Sequence, residues 1–464
     1  MSGAVIVLYK EALTLEHLEN LFRGLEFPLE NLFHFSVKIM LALSALINGK
    51  RGKLVNANIQ IFLLNSQVMK ISQRASNMPS SPIRKLAKYA DAAKRNGIHV
   101  YHLNIGQPDI KTPACAIEAI RHLDKDILEY SPSQGYHALR TKLVSYYAEY
   151  GIDLSPDEII ITTGGSEAVM FAYMACMDPG DEIIVTDPSY ANYMAFAISC
   201  GAVVKPVKTS IENGFRLPPV EKFEEQITPR TKAILICNPN NPTGYLYTKQ
   251  EMRKIRDLVK KYDLYLLSDE VYREFIYTKQ PYISACHLEG IENNVILIDS
   301  VSKRYSECGI RIGALITKNK QVREAVMKFC QARLSPPLVG QVIAEASLST
   351  PQEYMDEVYE EYLDRRNFLL DALNKIPGVF APTPMGAFYT MAKLPVDDAE
   401  KFCAWCLTDF SYEGQTIMMA PAAGFYTDPE EGRQEVRLAY VLNKEDLGKA
   451  MTVLAKALEE YNKK

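Results

Sequence analysis

From Asp157 onward, short β-rich runs alternate with helical stretches. "EIIITT" precedes "GGSEAVMFAYMACM", and "DEIIVTD" precedes "PSYANYMAFAISC"; then come "AVVKPVK", "KAILICNPNNPTG", "LYLLSDEVY", "VILIDSVSK" and "RIGALIT". This alternation predicts an α/β fold, a seven-stranded, mostly parallel sheet covered by helices. Open sheets of that kind bind ligands beyond the carboxyl ends of their strands. The residues that follow each run are therefore the first place to look for chemistry.

Those residues are polar. The first run ends in Gly164, Gly165, Ser166 and Glu167, where backbone amides can approach closely and the next helix aims its N-terminus outward, an arrangement suited to phosphate. A plain glycine turn with a serine cap explains the same residues equally well. Tyr190 follows the second run as a flat ring able to stack on an aromatic ligand, or simply to pack. The fourth ends in "NPNNPTG", a rigid turn presenting Asn241. Asp269 closes the fifth, with Tyr272 three residues on, and a buried carboxylate there needs a cationic partner. After the sixth come Ser300, Ser302 and Lys303, with Arg311 eight positions beyond the lysine. Together these describe one ligand, a phosphorylated aromatic aldehyde. A deprotonated lysine amine forms a Schiff base with it, and an acid keeps its ring nitrogen protonated so that the ring accepts electrons. Pyridoxal 5′-phosphate fits that description.

Other features limit the alternatives. The 464-residue chain is 47% hydrophobic, enough for a large core, and its net charge of -4 leaves no footprint for nucleic acid. Nine scattered cysteines fit a reducing, cytoplasmic compartment better than a disulfide framework. "CAWC" (Cys403 to Cys406) reads as a helix face. The seven histidines form no ligand set, so no metal is expected. The best candidate for a spanning segment, Ile39 to Ile47, is too short to cross a membrane. Residues 1–68 hold fourteen leucines, no aspartate and nearly balanced charge, unlike the rest. This leader suggests a mis-annotated start, with Met69 the true one.

The motifs "NIGQPD", "YSPSQGYHALR", "TTGGSEA", "DPSYANY", "NPNNPTG", "SDEVY", "SVSKRYSECGIRIG", "PMGAFY" and "EVRLAY" occur in this order between Met69 and Lys464. The chain thereby resembles the class I, aspartate-aminotransferase-like branch of the fold-type-I pyridoxal-phosphate enzymes. The resemblance implies that Lys303 carries the cofactor aldehyde as an aldimine and then shuttles a proton. It implies that Asp269 pairs with the pyridine nitrogen and that Asn241 and Tyr272 bond the ring oxygen. Gly165, Ser166, Ser300 and Arg311 would grip the phosphate, with Glu167 and Ser302 in the same motifs, and Tyr190 would stack on the ring. Arg437 would clamp the substrate α-carboxylate as a planar bidentate donor, and Gly106 would let that carboxylate pass. Tyr130 would reach the neighbouring subunit's phosphate, implying a homodimer with shared sites.

Three segments follow from the same resemblance: residues 69–111 with part of the small α+β domain, 112–345 as the large cofactor-binding domain, and 346–464 as the small C-terminal domain. Ser335 should cap a long interdomain helix opened by Pro336 and Pro337. The implied reaction is ping-pong transfer of an amino group from an L-amino acid to a 2-oxo acid, with 2-oxoglutarate the expected acceptor. A carbon–sulfur β-lyase on the same scaffold is an alternative, and an aminotransferase-like transcriptional regulator a remote one. Relatives strict for dicarboxylates supply an extra cation, in one group a lysine in the place of Ser166, so aspartate use would need a cation that the sequence does not locate. Phe388, Tyr389 and Tyr193 could line a side-chain pocket.

Overall fold

A computed structural model describes residues 71–463. The leader 1–68 and the expected start at Met69 lie outside them. All seven β-rich runs are strands of one sheet. After β1 (His99–His102) come β2 (Ile159–Thr162), β3 (Glu182–Asp187), β4 (Val203–Lys208), β5 (Thr231–Cys237), β6 (Tyr265–Asp269), β7 (Val295–Ser300) and β8 (Gly313–Ile316), arranged as β2-β8-β7-β6-β5-β3-β4. Only β8 runs against its neighbours. The other six strands therefore end at one edge, which is why polar residues distant in sequence gather there.

Side chains alternate across the pleat. Ala233 and Leu235 of β5 pack to one face, Ile234 and Ile236 to the other. Helices α1 (His137–Glu149), α2 (Gly164–Cys176), α3 (Asn192–Cys200) and α4 (Lys249–Tyr262) cover these faces. α4 shows how the sequence fixes such a helix. Thr248 caps it and Glu251 reaches back to the Thr248 amide, while Met252, Ile255, Leu258 and Val259 form its buried stripe.

Past β7 come the single turn α5 (Val301–Arg304), α6 (Lys320–Arg333), α7 (Leu338–Ser347) and α8 (Gln352–Asn374). Ser335 does not cap α7, as its sequence had suggested. Pro337 occupies the cap position with φ -56°, a geometry its ring sets in advance, and makes no side-chain cap bond. Pro351 separates α7 from α8 in the same way. Cys403 and Cys406 are buried in α9 (Ala399–Thr408), where burial pushes both thiols up.

Among the described residues two smaller sheets accompany the large one. β12 (Glu435–Ala439) lies between β9 (Tyr389–Lys393) and β11 (Ala420–Pro421), antiparallel to both. β1 pairs in parallel with β10 (Gln415–Met418), joining the N-terminal segment to the C-terminal one. Among the described residues no helix is long and apolar enough to cross a membrane.

Candidate active site

Beyond the strand ends lies a cavity of about 730 Å³. On its wall the fold brings together Gly165 and Ser166 from the start of α2, Tyr190, Asn241, Asp269 and Tyr272, and Ser300, Ser302, Lys303 and Arg311 from the β7–β8 connection. Gly106 and Arg437 arrive from outside the large sheet. Two expected residues lie elsewhere. Glu167 is not on the cavity wall: it accepts from the Thr163 amide (2.8 Å) and from Arg333 (3.0 Å), bracing the start of α2 against the end of α6. Tyr130 is 77% exposed and outside its own chain's cavity.

Lys303 projects from α5 into this space. Its Nζ donates to the Gly106 carbonyl at 2.7 Å and stands 3.7 Å from Cys308 Sγ. A side chain at Gly106 would begin 1.8 Å from the Tyr389 hydroxyl, so only glycine lets the backbone pass there. Gly164, the first residue of α2, has φ +74° and a Cβ on it would sit 2.3 Å from Arg311 Nη2. A cradle thus forms from the Gly165 backbone, Ser166, Ser300 and Arg311. Ser300 is held by its own bonds to Ser302 Oγ (2.7 Å) and the Ile312 carbonyl (2.9 Å).

Asp269 is buried at the end of β6. It accepts from the Tyr193 hydroxyl at 2.7 Å, and among the described residues no cationic side chain bonds it. Burial, only partly offset by Tyr193 and the Val271 amide, pushes its carboxyl up to about 6. Tyr193 lines the cavity, and its hydroxyl serves this acid. Tyr272 and Tyr389 share a bond of 3.0 Å between their hydroxyls. Phe388 does not line the cavity. It is stacked on Tyr362 and packed edge-on against Phe275 and Tyr272 in the core.

Arg437 is 1% exposed, so it is no surface charge. Its Nη1 donates to Asn241 Oδ1 (3.0 Å) and its Nη2 to the Asn104 carbonyl (2.5 Å), while Nε is buried without a partner. Tyr389 and Phe425 present ring faces to its guanidinium at 4.4 and 4.9 Å. Burial lowers its pKa, only partly offset by the nearby Tyr389, Tyr272 and Tyr190 hydroxyls.

The sequence did not disclose Tyr193 as the partner of Asp269, Cys308 beside Lys303, or Ser81, Ile83 and Arg84 on the cavity wall. A signal existed only for Tyr193, three residues after Tyr190, whose carbonyl accepts from the Tyr193 amide at 2.9 Å in the turn that opens α3.

The donor set suits a phosphorylated pyridine aldehyde: an amine, a glycine–serine–arginine cradle, and a buried acid without a cation. Comparison with known proteins agrees. Residues 98–454 match the family Aminotransferase class I and II. An aspartate aminotransferase of Thermotoga maritima is 34% identical over 359 residues, 76% of this chain and 92% of that protein. An aspartate/prephenate aminotransferase of Thermus thermophilus is 30% identical over 84% of this chain and 98% of its own length. Among solved structures, an alanine aminotransferase from Pyrococcus furiosus superposes with a TM-score of 0.77 at 30% identity, covering 84% of this chain and all of that one.

Proposed function

Since this chain belongs to the class I and II aminotransferases and is a pyridoxal-phosphate-dependent transaminase acting on amino and oxo acids, we propose how its own residues divide that work. The cofactor, when bound, supplies an aldehyde for the amino group and a ring that accepts electrons. Lys303 Nζ would hold that aldehyde and, once released, take and return the proton at the substrate Cα. Asp269 would keep the ring nitrogen protonated, and the bond from Tyr193 keeps Asp269 oriented. Asn241 and Tyr272 would hold the ring oxygen, and Tyr190 would stack on the ring. The Gly165 amide, Ser166, Ser300 and Arg311 would hold the phosphate, with Ser302 fixing Ser300. Arg437 clamps the substrate α-carboxylate, with Gly106 leaving room for it.

The observation that carries this reading is the meeting of Lys303, Asp269 and Arg437 on one cavity although three different elements supply them. Borohydride reduction of the holoenzyme followed by peptide mapping should label Lys303, and Lys303→Ala should abolish turnover. Label at another lysine, or turnover retained by the variant, would overturn the assignment.

We further propose residues 112–345 as the large domain and 69–111 with 346–464 as the small one, a division supported by the β1–β10 pairing. Closure of the small domain would exclude water from the site. The exposed Tyr130 supports a homodimer in which it reaches the partner's phosphate. The names of the relatives support L-aspartate as donor; 2-oxoglutarate as acceptor rests on the family resemblance, and a cytoplasmic location on the nine scattered cysteines.

A further inference from the structure

We propose that Arg84 sets substrate choice, reading the second carboxylate of a dicarboxylic amino or oxo acid. This rests on the transaminase reading above and on Arg437 holding the α-carboxylate.

Charge accounting leads to it. The cavity wall carries four cations, Arg84, Lys303, Arg311 and Arg437, and one acid, Asp269. Lys303, Arg311 and Arg437 already answer an aldehyde, a phosphate and an α-carboxylate, and Asp269 answers a ring nitrogen. Arg84 remains. Ser166 supplies no charge, so a second carboxylate has no other cation among the described residues of this wall.

The backbone under Arg84 is fixed, whereas its side chain is left free. The Ile83 carbonyl accepts from Asn104 Nδ2 at 2.7 Å, and the Asn104 carbonyl is the one that Arg437 Nη2 holds. One asparagine therefore ties the Arg84 segment to the α-carboxylate clamp. Pro82 seats against Gly424, where a Cβ would come within 2.7 Å of it, and Lys85 pairs with Glu400 at 2.5 Å. Arg84 itself is exposed to the cavity, and among the described residues no hydrogen bond or ion pair engages its guanidinium. Arg84, Arg437 and Tyr190 line the same cavity, and both arginines act electrostatically on the Tyr190 hydroxyl. A planar fork there can meet a carboxylate through two bonds.

The test compares Arg84→Gln and Arg84→Lys with wild type. The donors are aspartate and alanine, each in the half-reaction with cofactor-loaded enzyme. Arg84→Gln should lower the ratio of kcat/KM for aspartate over alanine by roughly 10–100-fold, carried mainly by KM. Arg84→Lys should recover part of that loss. Calorimetry should show maleate, an unreactive dicarboxylate, weakened far more than the monocarboxylate propionate by Arg84→Gln. An unchanged ratio, or equal weakening of the two ligands, would overturn the proposal while leaving the transaminase reading intact. Wild-type protein that converts neither donor would instead overturn that reading, and this inference with it.

Discussion

Asp269 ends β6 and Asp299 is the last residue but one of the adjacent, parallel β7; both are buried, yet they have been finished in opposite ways. Asp299 accepts from Arg304 (2.9 and 3.1 Å), Arg273 (3.2 Å) and the Tyr147 hydroxyl (2.5 Å). Burial opposes its charge, but the two arginines outweigh burial and hold its carboxyl at about 2. Asp269 has a phenol and an amide, and stays near 6. One aspartate is a completed structural ion group; the other has been left for a cation that comes from outside the chain. A strand-end carboxylate thus signals a ligand only when the fold does not neutralise it internally.

Substitutions at the two positions should therefore separate catalysis from stability. Asp269→Ala should lower turnover by on the order of 10⁴-fold, about 5 kcal/mol of transition-state stabilisation, while the protein stays folded; steady-state rates at saturating cofactor measure this. Asp299→Ala should instead destabilise the fold by about 4 kcal/mol, since it strands two buried arginines, read as a lower urea midpoint. If Asp299→Ala unfolded no more readily than Asp269→Ala, the contrast would be wrong.

The two carboxyls also respond to pH with opposite signs. Asp269 has a raised pKa in the folded, cofactor-stripped protein. Stability should accordingly fall by about 2–3 kcal/mol as pH rises from 4 to 6, and Asp269→Asn should remove that slope. Asp299, with its lowered pKa, contributes stability above pH 4 that is lost as pH falls toward 2. Denaturation midpoints across this range, wild type against Asp269→Asn, check both windows. The smallest effect belongs to Tyr193→Phe. Losing one buried hydrogen bond should cost about 1 kcal/mol and move the Asp269 titration upward, visible as a shift of the same slope.

Legibility in the sequence followed the range of the interactions. Strand ends and their polar residues could be read because each depends on a few consecutive side chains, and the parallel arrangement then forces the ends together. Whether an aspartate would be neutralised could not be read, because Tyr147, Arg273 and Tyr193 reach Asp299 or Asp269 only through tertiary packing. Glu167 sits in a phosphate-like motif, yet Arg333 from α6 claims it. Phe388 looked like a pocket residue, yet its ring completes an aromatic core. Arg84 lies in a segment whose only local signal is a charged helix start, and it reaches the cavity because Asn104 holds the preceding carbonyl.

Because β8 runs opposite to the other strands, it begins where they finish. One unbroken excursion from Asp299 to Gly313 leaves the sheet, delivers the amine, two serines and the guanidinium, and re-enters. Both its feet are nailed by ladder pairs, Asp299 with Ala314 and Ser300 with Gly313. The separation of Lys303 from Arg311 is gauged by a short loop between fixed anchors, independent of how distant elements dock. Lengthening that loop by a single residue would leave the strands paired and put amine and guanidinium out of step.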